Sequence, residues 1–219
     1  MNIKNLLLAT LLASAAPIWA QQVINLPQPD LKAKSLSMIE TLNTRHSVRE
    51  YDKTPLTKQE LSNLCWAACG VSRDKDHRTA PTARNRKEIR LYVFMKEGAY
   101  EYNAVENSLT LKANGDHRKL IAGKAGGFSQ DFVLDAPVSL LMVIDFKLLG
   151  GKDENAIMMG CVDAGNVSEN INLYCQSVGL ATVPRATHDK EGLIKLLGLN
   201  DMQLPIMNNP VGWPSKKNK

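Results

Sequence analysis

Thr44-Arg45-His46-Ser47-Val48-Arg49-Glu50-Tyr51 places two guanidiniums, an imidazole and a hydroxyl within five consecutive positions, directly after a short apolar helical pattern. Arginine presents a planar fork of donors that matches phosphate or carboxylate oxygens, and its charge does not titrate away. Arg45, Ser47 and Arg49 occupy alternate positions, so an extended segment would point all three to one side. Two readings follow. The stretch is either a grip for a phosphorylated anion or a solvated helix end, where basic residues complement the negative pole of the helix dipole.

Upstream, Met1 to Lys4 carries one positive charge, Leu6 to Ala16 is apolar, and Pro17-Ile18-Trp19-Ala20 offers a cleavage point before Gln21. This is the layout of a secretory signal peptide over residues 1–20, with an apolar run too short to span a bilayer. The expectation is an exported, periplasmic protein without stable membrane insertion. Removing Lys4 and no acid takes the formal charge from +5 to +4. So mild a balance, with 5% aromatic residues, gives no base-stacking surface and no case for nucleic acid.

Residues 21–34, with Pro27 and Pro29, read as an extended leader, and 35–219 as one domain. Leu36, Ile39, Glu40 and Leu42 pattern a short helix. Thr57-Lys58-Gln59-Glu60 is a capping box, opening a helix that carries Leu61, Leu64, Cys65, Ala68 and Cys69 and stops at Gly70. Ile89–Met95, Gly98–Tyr102 and Ser108–Leu111 read as an antiparallel meander. Asp116–Ala122 and Phe128–Leu134 read as short helical pieces around a flexible Gly123–Gly127. Pro137–Asp145 is apolar enough for a central strand buried on both faces. Ala156–Val178 is the longest helical pattern, ended by Gly179. A strand at Leu180–Val183, a helix at Lys190–Leu197 and a strand at Ile206–Trp213 complete the chain. The class is α+β with a mixed central sheet flanked by helices.

Standard phosphate and hydrolase motifs are missing: no G-x-G-x-x-G follows a strand, and there is no G-x4-G-K-[ST], H-E-x-x-H or G-x-S-x-G. Four scattered histidines and four cysteines show no metal-ligand spacing, so no metal is expected. The cysteines read mostly as buried, reduced thiols.

Five segments, in order, resemble the nitroreductase-like flavoproteins. They are Arg45 to Tyr51 (R-[RH]-S-x-[RK]-x-[FY]), Ala80-Pro81-Thr82-Ala83-Arg84-Asn85, Asp163-Ala164-Gly165 with Asn170-Ile171, Gly179 to Pro184, and Pro210-Val211-Gly212-Trp213-Pro214-Ser215-Lys216. Leu64 to Val71 and Arg78 to Pro81 are similar to the branch related to peptide-azoline dehydrogenases. The resemblance spans residues 36 to 216. It implies FMN at the interface of a homodimer, with NAD(P)H as an electron donor and a small-molecule substrate. By position, Arg45, Ser47, Arg49 and Lys216 would bind the phosphate, with His46 near the ring or ribityl chain. Thr82, Ala83 and Asn85 would arrive from the partner subunit. Pro184, Arg185 and Ala186 would lie against the isoalloxazine, and Gln130 would meet its pyrimidine edge. Arg185 also reads as a plain surface residue. The implied activity is hydride transfer to a nitroaromatic, quinone or similar acceptor. A flavin-dependent dehydrogenase of an organic substrate and a non-catalytic flavin-binding protein are the alternatives.

Overall fold

The run Val138-Ser139-Leu140-Leu141-Met142-Val143-Ile144-Asp145 is buried at every position, as a strand covered on both faces must be. The computed structural model describes residues 22–125 and 128–216. The signal-peptide reading of residues 1–20 and the tail beyond Lys216 lie outside them. In chain order the elements are β1 (Val23–Asn25), α1 (Met38–Thr44), β2 (Tyr51–Asp52), α2 (Lys58–Cys69), β3 (Ile89–Phe94), β4 (Gly98–Asn103) and β5 (Ser108–Asn114). There follow α3 (Arg118–Ala122), β6 (Lys124–Ala125), β7 (Phe128–Ser129), β8 (Val138–Asp145), α4 (Phe146–Leu149), α5 (Glu154–Val178), β9 (Ala181–Thr182), α6 (Lys190–Leu197) and β10 (Gln203–Pro214). Ala83–Asn85 and Asp131–Leu134 form short 3-10 turns.

The main sheet runs β1-β5-β4-β3-β8-β10-β2, with β9 also paired to β10. The α+β class is as the sequence implies. Mixed strand direction is not seen: every ladder among the described residues is antiparallel. Interleaved helices alone do not demand parallel crossovers, because α5 returns the chain to the opposite edge of β10 rather than beside β8.

Alternation along the two central strands divides the core. Leu91 and Val93 of β3 with Leu140, Met142 and Ile144 of β8 pack against Leu64, Cys65 and Ala68 of α2 and Ala164, Val167 and Ile171 of α5. Tyr92, Phe94, Leu141 and Val143 face the other way, onto Ile121 and Ala122 of α3 and Leu193 and Leu197 of α6. Each such leucine or valine contributes about 1.5–3 kcal/mol through burial. Register therefore matters, since a one-residue slip would exchange the two faces. Gly160 sets the closest approach of α5 to the sheet, because a Cβ there would lie 2.7 Å from the Ile144 side chain.

Helix ends follow their caps. Ser37 and Thr57 each form a reciprocal capping box, with Glu40 and Glu60, and Asp153 caps α5 by accepting from the Ala156 N–H. Gly179 ends α5 in the left-handed region, at φ 79°. The leader expected over 21–34 belongs to the sheet where it is described, from residue 22: β1 pairs with β5, and the Leu26 N–H donates to Asn107 O at 3.0 Å. Phe128–Leu134 is not a helical piece. Phe128–Ser129 pairs with Lys124–Ala125, leaving only the 3-10 turn. Seven residues cannot repay helix nucleation when a local strand partner competes.

Candidate functional site

The Arg45–Tyr51 segment leaves α1 as extended chain and is stitched across the β2–β10 edge. The Val48 N–H donates to Thr182 O at 2.9 Å, and the buried Tyr51 hydroxyl donates back to Val48 O at 2.9 Å. Tyr51 pairs with Pro214, and the Ser215 N–H reaches Glu50 O at 3.1 Å, which brings Lys216 to the same edge. Anchoring falls on Val48, so Arg45, His46, Ser47 and Arg49 are left exposed. His46, Ser47, Val48, Arg49, Glu50, Leu180, Ala181 and Pro214 line a cavity of about 490 Å³. Arg45 stands just outside that lining, and the His46 Nδ1 sits 2.9 Å from Thr44 O. Among the described residues, neither the Arg45 nor the Arg49 guanidinium has an ion-pair or hydrogen-bond partner.

A second cavity of about 490 Å³ shares Arg49 and is lined further by Gln130, Phe132, Val183, Pro184, Arg185 and Thr187. Arg49 is thus the common wall of two adjoining chambers. Pro184 and Ala186 are exposed while Arg185 between them is 7% exposed. This alternation comes from a local bridge in which Arg185 and Asn208 exchange both backbone hydrogen bonds, at 2.8 and 2.7 Å. The Ala186 N–H has no acceptor among the described residues. Burial lowers the Arg185 guanidinium to about 10, leaving it charged at neutral pH. The Arg185 side chain donates to Ile121 O and Ala122 O at the end of α3, to the Asn208 Oδ1 and to the Gln130 Oε1. Helix C-terminal carbonyls are natural partners for a cation. Gly123 makes the meeting possible: it has φ +56°, and a Cβ there would lie 2.6 Å from the His188 backbone.

Thr82, Ala83 and Asn85 are held elsewhere, in a loop where Arg84, Asn85 and Lys87 all adopt positive φ. That strained path is pinned by the Ala83 N–H on Asp163 Oδ2 at 2.6 Å, the Lys87 N–H on Thr82 Oγ1 at 2.9 Å and the Asn85 amide on Asp76 O at 3.0 Å. Thr82 lines a separate cavity of about 530 Å³ with Arg78, Lys87, Arg90 and Lys112. Within one chain, then, the fold brings His46 to Arg49, Gln130, Pro184 and Arg185 to a groove of two chambers that meet at Arg49, with Arg45, Ala186 and Lys216 within two positions of lining residues, and sets the Thr82 loop apart from it.

The model of the nitroreductase family matches residues 42–213. A crystal structure of a nitroreductase-designated protein from Ralstonia eutropha is 33% identical, with a TM-score of 0.79, covering 90% of this chain and 91% of that one. This chain belongs to the nitroreductase family. A nitroreductase-designated protein of Methanocaldococcus jannaschii is 28% identical over 84% of this chain and 93% of its own length. The FMN reductase [NAD(P)H] of Bacillus subtilis is 23% identical over 82% of this chain and 67% of its own. As a nitroreductase-family member, the chain is an oxidoreductase.

Four polar residues of this nitroreductase-family chain did not stand out as site residues: Asn208 and Asn209 behind the groove, and Glu88 and Asp163 beneath the separate Thr82 loop. Asn208 fixes Arg185 and donates to Thr187 O at 3.0 Å; Asn209, wholly buried, joins Ser168, Asn172 and Thr182 across the other face of β10. Asn-Asn inside an otherwise apolar terminal strand is the signal, since asparagine disfavours strands unless partners wait for it. Glu88 and Asp163 lie under the Thr82 loop. Glu88 is fully buried and neither of its carboxyl oxygens meets a donor. Burial and the Asp163 carboxylate push Glu88 up to about 8. The four cysteines are free; Cys65, Cys69 and Cys175 are buried and Cys161 is exposed.

Proposed function

We propose that this oxidoreductase works with one FMN per subunit, seated along the groove in which Arg49 joins the two chambers. That shared wall is the observation that carries the reading. One end offers cations left without protein partners; the other offers the Pro184–Ala186 shelf with an unpartnered N–H. A phosphate needs two or three charge-assisted donors, which Arg45, Arg49 and Lys216 can supply with Ser47, while His46 flanks the chain beyond it. Bound there, the flavin would take up hydride from a donor and pass it to an acceptor. The chain's own part is to hold, orient and polarise. The Ala186 N–H would meet the hydride-carrying nitrogen, Pro184 would stiffen the path under the ring, and the Gln130 amide would bond the pyrimidine edge.

The Thr82–Asn85 loop completes this site only from a second copy, so the working unit is a homodimer. Exposed apolar side chains support that assembly: Met38, Ile39 and Leu42 on α1 are 61%, 75% and 55% exposed, and Met158 and Val162 on α5 are 53% and 55%. The acceptor is a nitroaromatic, quinone or similar small molecule. The donor is NAD(P)H or, if residues 1–20 direct export, a quinol or organic substrate available outside the cytoplasm. Among the described residues no helix is long and apolar enough to cross a membrane.

The test is direct. The purified protein is loaded with FMN, separated from free flavin and titrated anaerobically with NADH and NADPH. Yellow protein that bleaches supports the reductase, and yellow protein indifferent to both selects another donor. Protein that cannot be loaded overturns the reading, and a monomer by light scattering overturns the shared site.

A further inference from the structure

Arg185 is a cation the fold has buried without an acid. Four of its five N–H groups are committed: Nε to Gln130 Oε1 at 2.8 Å, Nη1 to Ile121 O at 3.1 Å and Asn208 Oδ1 at 2.7 Å, and Nη2 to Ala122 O at 2.8 Å. Every acceptor is neutral. No ion pair among the described residues includes Arg185, and the Phe132 ring lies 5.5 Å from centroid to guanidinium carbon. Elsewhere in the molecule the partly buried Arg90 and Arg118 are matched to carboxylates. A buried charge is expensive unless something repays it, and carbonyl dipoles compensate only in part. Arg185 also lines the chamber shared with Arg49. Its charge is therefore unmatched by any carboxylate among the described residues and stands in the wall of that chamber.

We propose that Arg185 is a fixed electrostatic element that favours the reduced, negatively charged state of the group bound in this groove, acting partly through Gln130, and so raises its reduction potential. The inference rests on the FMN reading above. In hydride transfer the donor gives up H⁻ and is left one charge more positive, while the oxidised flavin gains two electrons and one proton and becomes one charge more negative. No protein proton is consumed. A cation whose position does not change during this step stabilises the product over the starting state. Gln130 extends the effect. With its Oε1 accepting from Arg185 Nε, the amide is fixed with Nε2 as donor, and only a 3.5 Å contact to Thr187 Oγ1 draws on it. A donor backed by a cation in a chain of hydrogen bonds is a stronger donor.

The experiment compares wild type with Arg185→Met, Arg185→Lys and Gln130→Glu, each loaded with FMN. Two-electron midpoints are measured by slow enzymatic reduction against a reference dye, at one pH and one salt concentration. Arg185→Met is expected to lose about tenfold in the preference for reduced over oxidised FMN, a fall of about 30 mV for a two-electron couple. Arg185→Lys, which keeps the charge, stays near wild type. Gln130→Glu, which leaves the guanidinium in place but sets a carboxylate on its Nε, falls towards Arg185→Met. Equal midpoints in wild type and Gln130→Glu overturn the proposal, and so does an Arg185→Lys midpoint as low as that of Arg185→Met. If neither Arg185 variant folds, Asn208→Asp, which sets a carboxylate on Arg185 Nη1 away from the chamber lining, decides: a midpoint equal to wild type overturns the proposal. A wild type that binds no FMN overturns this inference and the proposed function together. A wild type that binds FMN while the midpoints do not move overturns this inference only.

Discussion

Arg49 and Arg185 line the same chamber and are opposite kinds of cation. Arg49, like Arg45, is exposed and unmatched, so its geometry is defined only when an anion arrives. Arg185 is fixed before any ligand comes, by four neutral acceptors drawn from α3, β10 and the residue-130 loop. On the proposed reading the first kind would confer affinity and little stability; the second is part of the fold. Removing each should therefore damage different things. Arg185→Ala strands the Gln130 and Asn208 oxygens and two α3 carbonyls, at about 1–3 kcal/mol for each group left dry. That sum of about 4–12 kcal/mol is offset by the several kcal/mol no longer spent on burying an unpaired charge, so a net loss of roughly 3–5 kcal/mol in urea unfolding is expected, the largest effect of any substitution in the groove. A loss below about 0.5 kcal/mol, the range of ordinary surface changes, would mean that the buried network is not formed.

Arg45→Ala with Arg49→Ala should do the reverse. Two charge-assisted bonds at about 1.5–3 kcal/mol each correspond to a hundredfold or greater fall in FMN retention. Apo stability should move by no more than about 0.5 kcal/mol. Unchanged retention would remove these arginines from the phosphate role.

The contrast also marks what could be read from the chain. Local rules carried far: the Thr57 capping box, the doubly buried β8 and the Gly179 stop of α5 are statements about neighbours in sequence, and the exposed cations fell within five residues of one another. Arg185 did not yield to the same logic. Beside an exposed proline and an exposed alanine it reads equally as surface, and its carbonyl partners lie 63 and 64 positions away. The pairing of Glu88 with Asp163 is likewise long-range, joining the entry of β3 to the middle of α5. Phe128–Ser129 failed as helix because its strand partner outweighed a weak propensity. Periodicity reports which face of an element is buried; it does not report which polar group another element will supply.

Glu88 repeats the Arg185 lesson with the opposite sign of charge. It is fully buried, faced by Asp163 from α5 and by Arg86 in the preceding turn, and burial and Asp163 outweigh Arg86. Below its ordinary value of 4.5 the group is protonated folded and unfolded alike, and pH has no leverage through it. Between 4.5 and about 8 only the unfolded chain has lost the proton, so stability falls with rising pH at up to ~1.4 kcal/mol per pH unit. Above about 8 the loss is complete. Glu88→Gln should flatten this slope, gaining on the order of 2 kcal/mol over wild type between pH 6 and pH 8. Parallel stability–pH curves for the two proteins would show that Glu88 ionises without penalty.

Lys216 is the weakest test of the comparison and the most discriminating about its cause. It shares the exposure of Arg45 and Arg49, being placed by the Ser215 contact to Glu50 at the end of the β10–β2 pairing. A lysine also gives up more side-chain freedom for each bond made than the pre-organised fork of an arginine. Glu50 lines the neighbouring cavity and offsets part of its attraction for an anion. An exposed charge pair of this kind is worth about 0.2–1 kcal/mol. Lys216→Ala should therefore weaken FMN binding only about two- to fivefold, and less as salt rises and the Debye length shortens. The arginine double variant should keep most of its deficit at the same salt, because its loss is of directed hydrogen bonds as well as charge. If Lys216→Ala matched that deficit, and matched it in high salt, affinity in this groove would depend on summed charge alone, and the planar fork of Arg49 between the two chambers would confer nothing that a lysine could not.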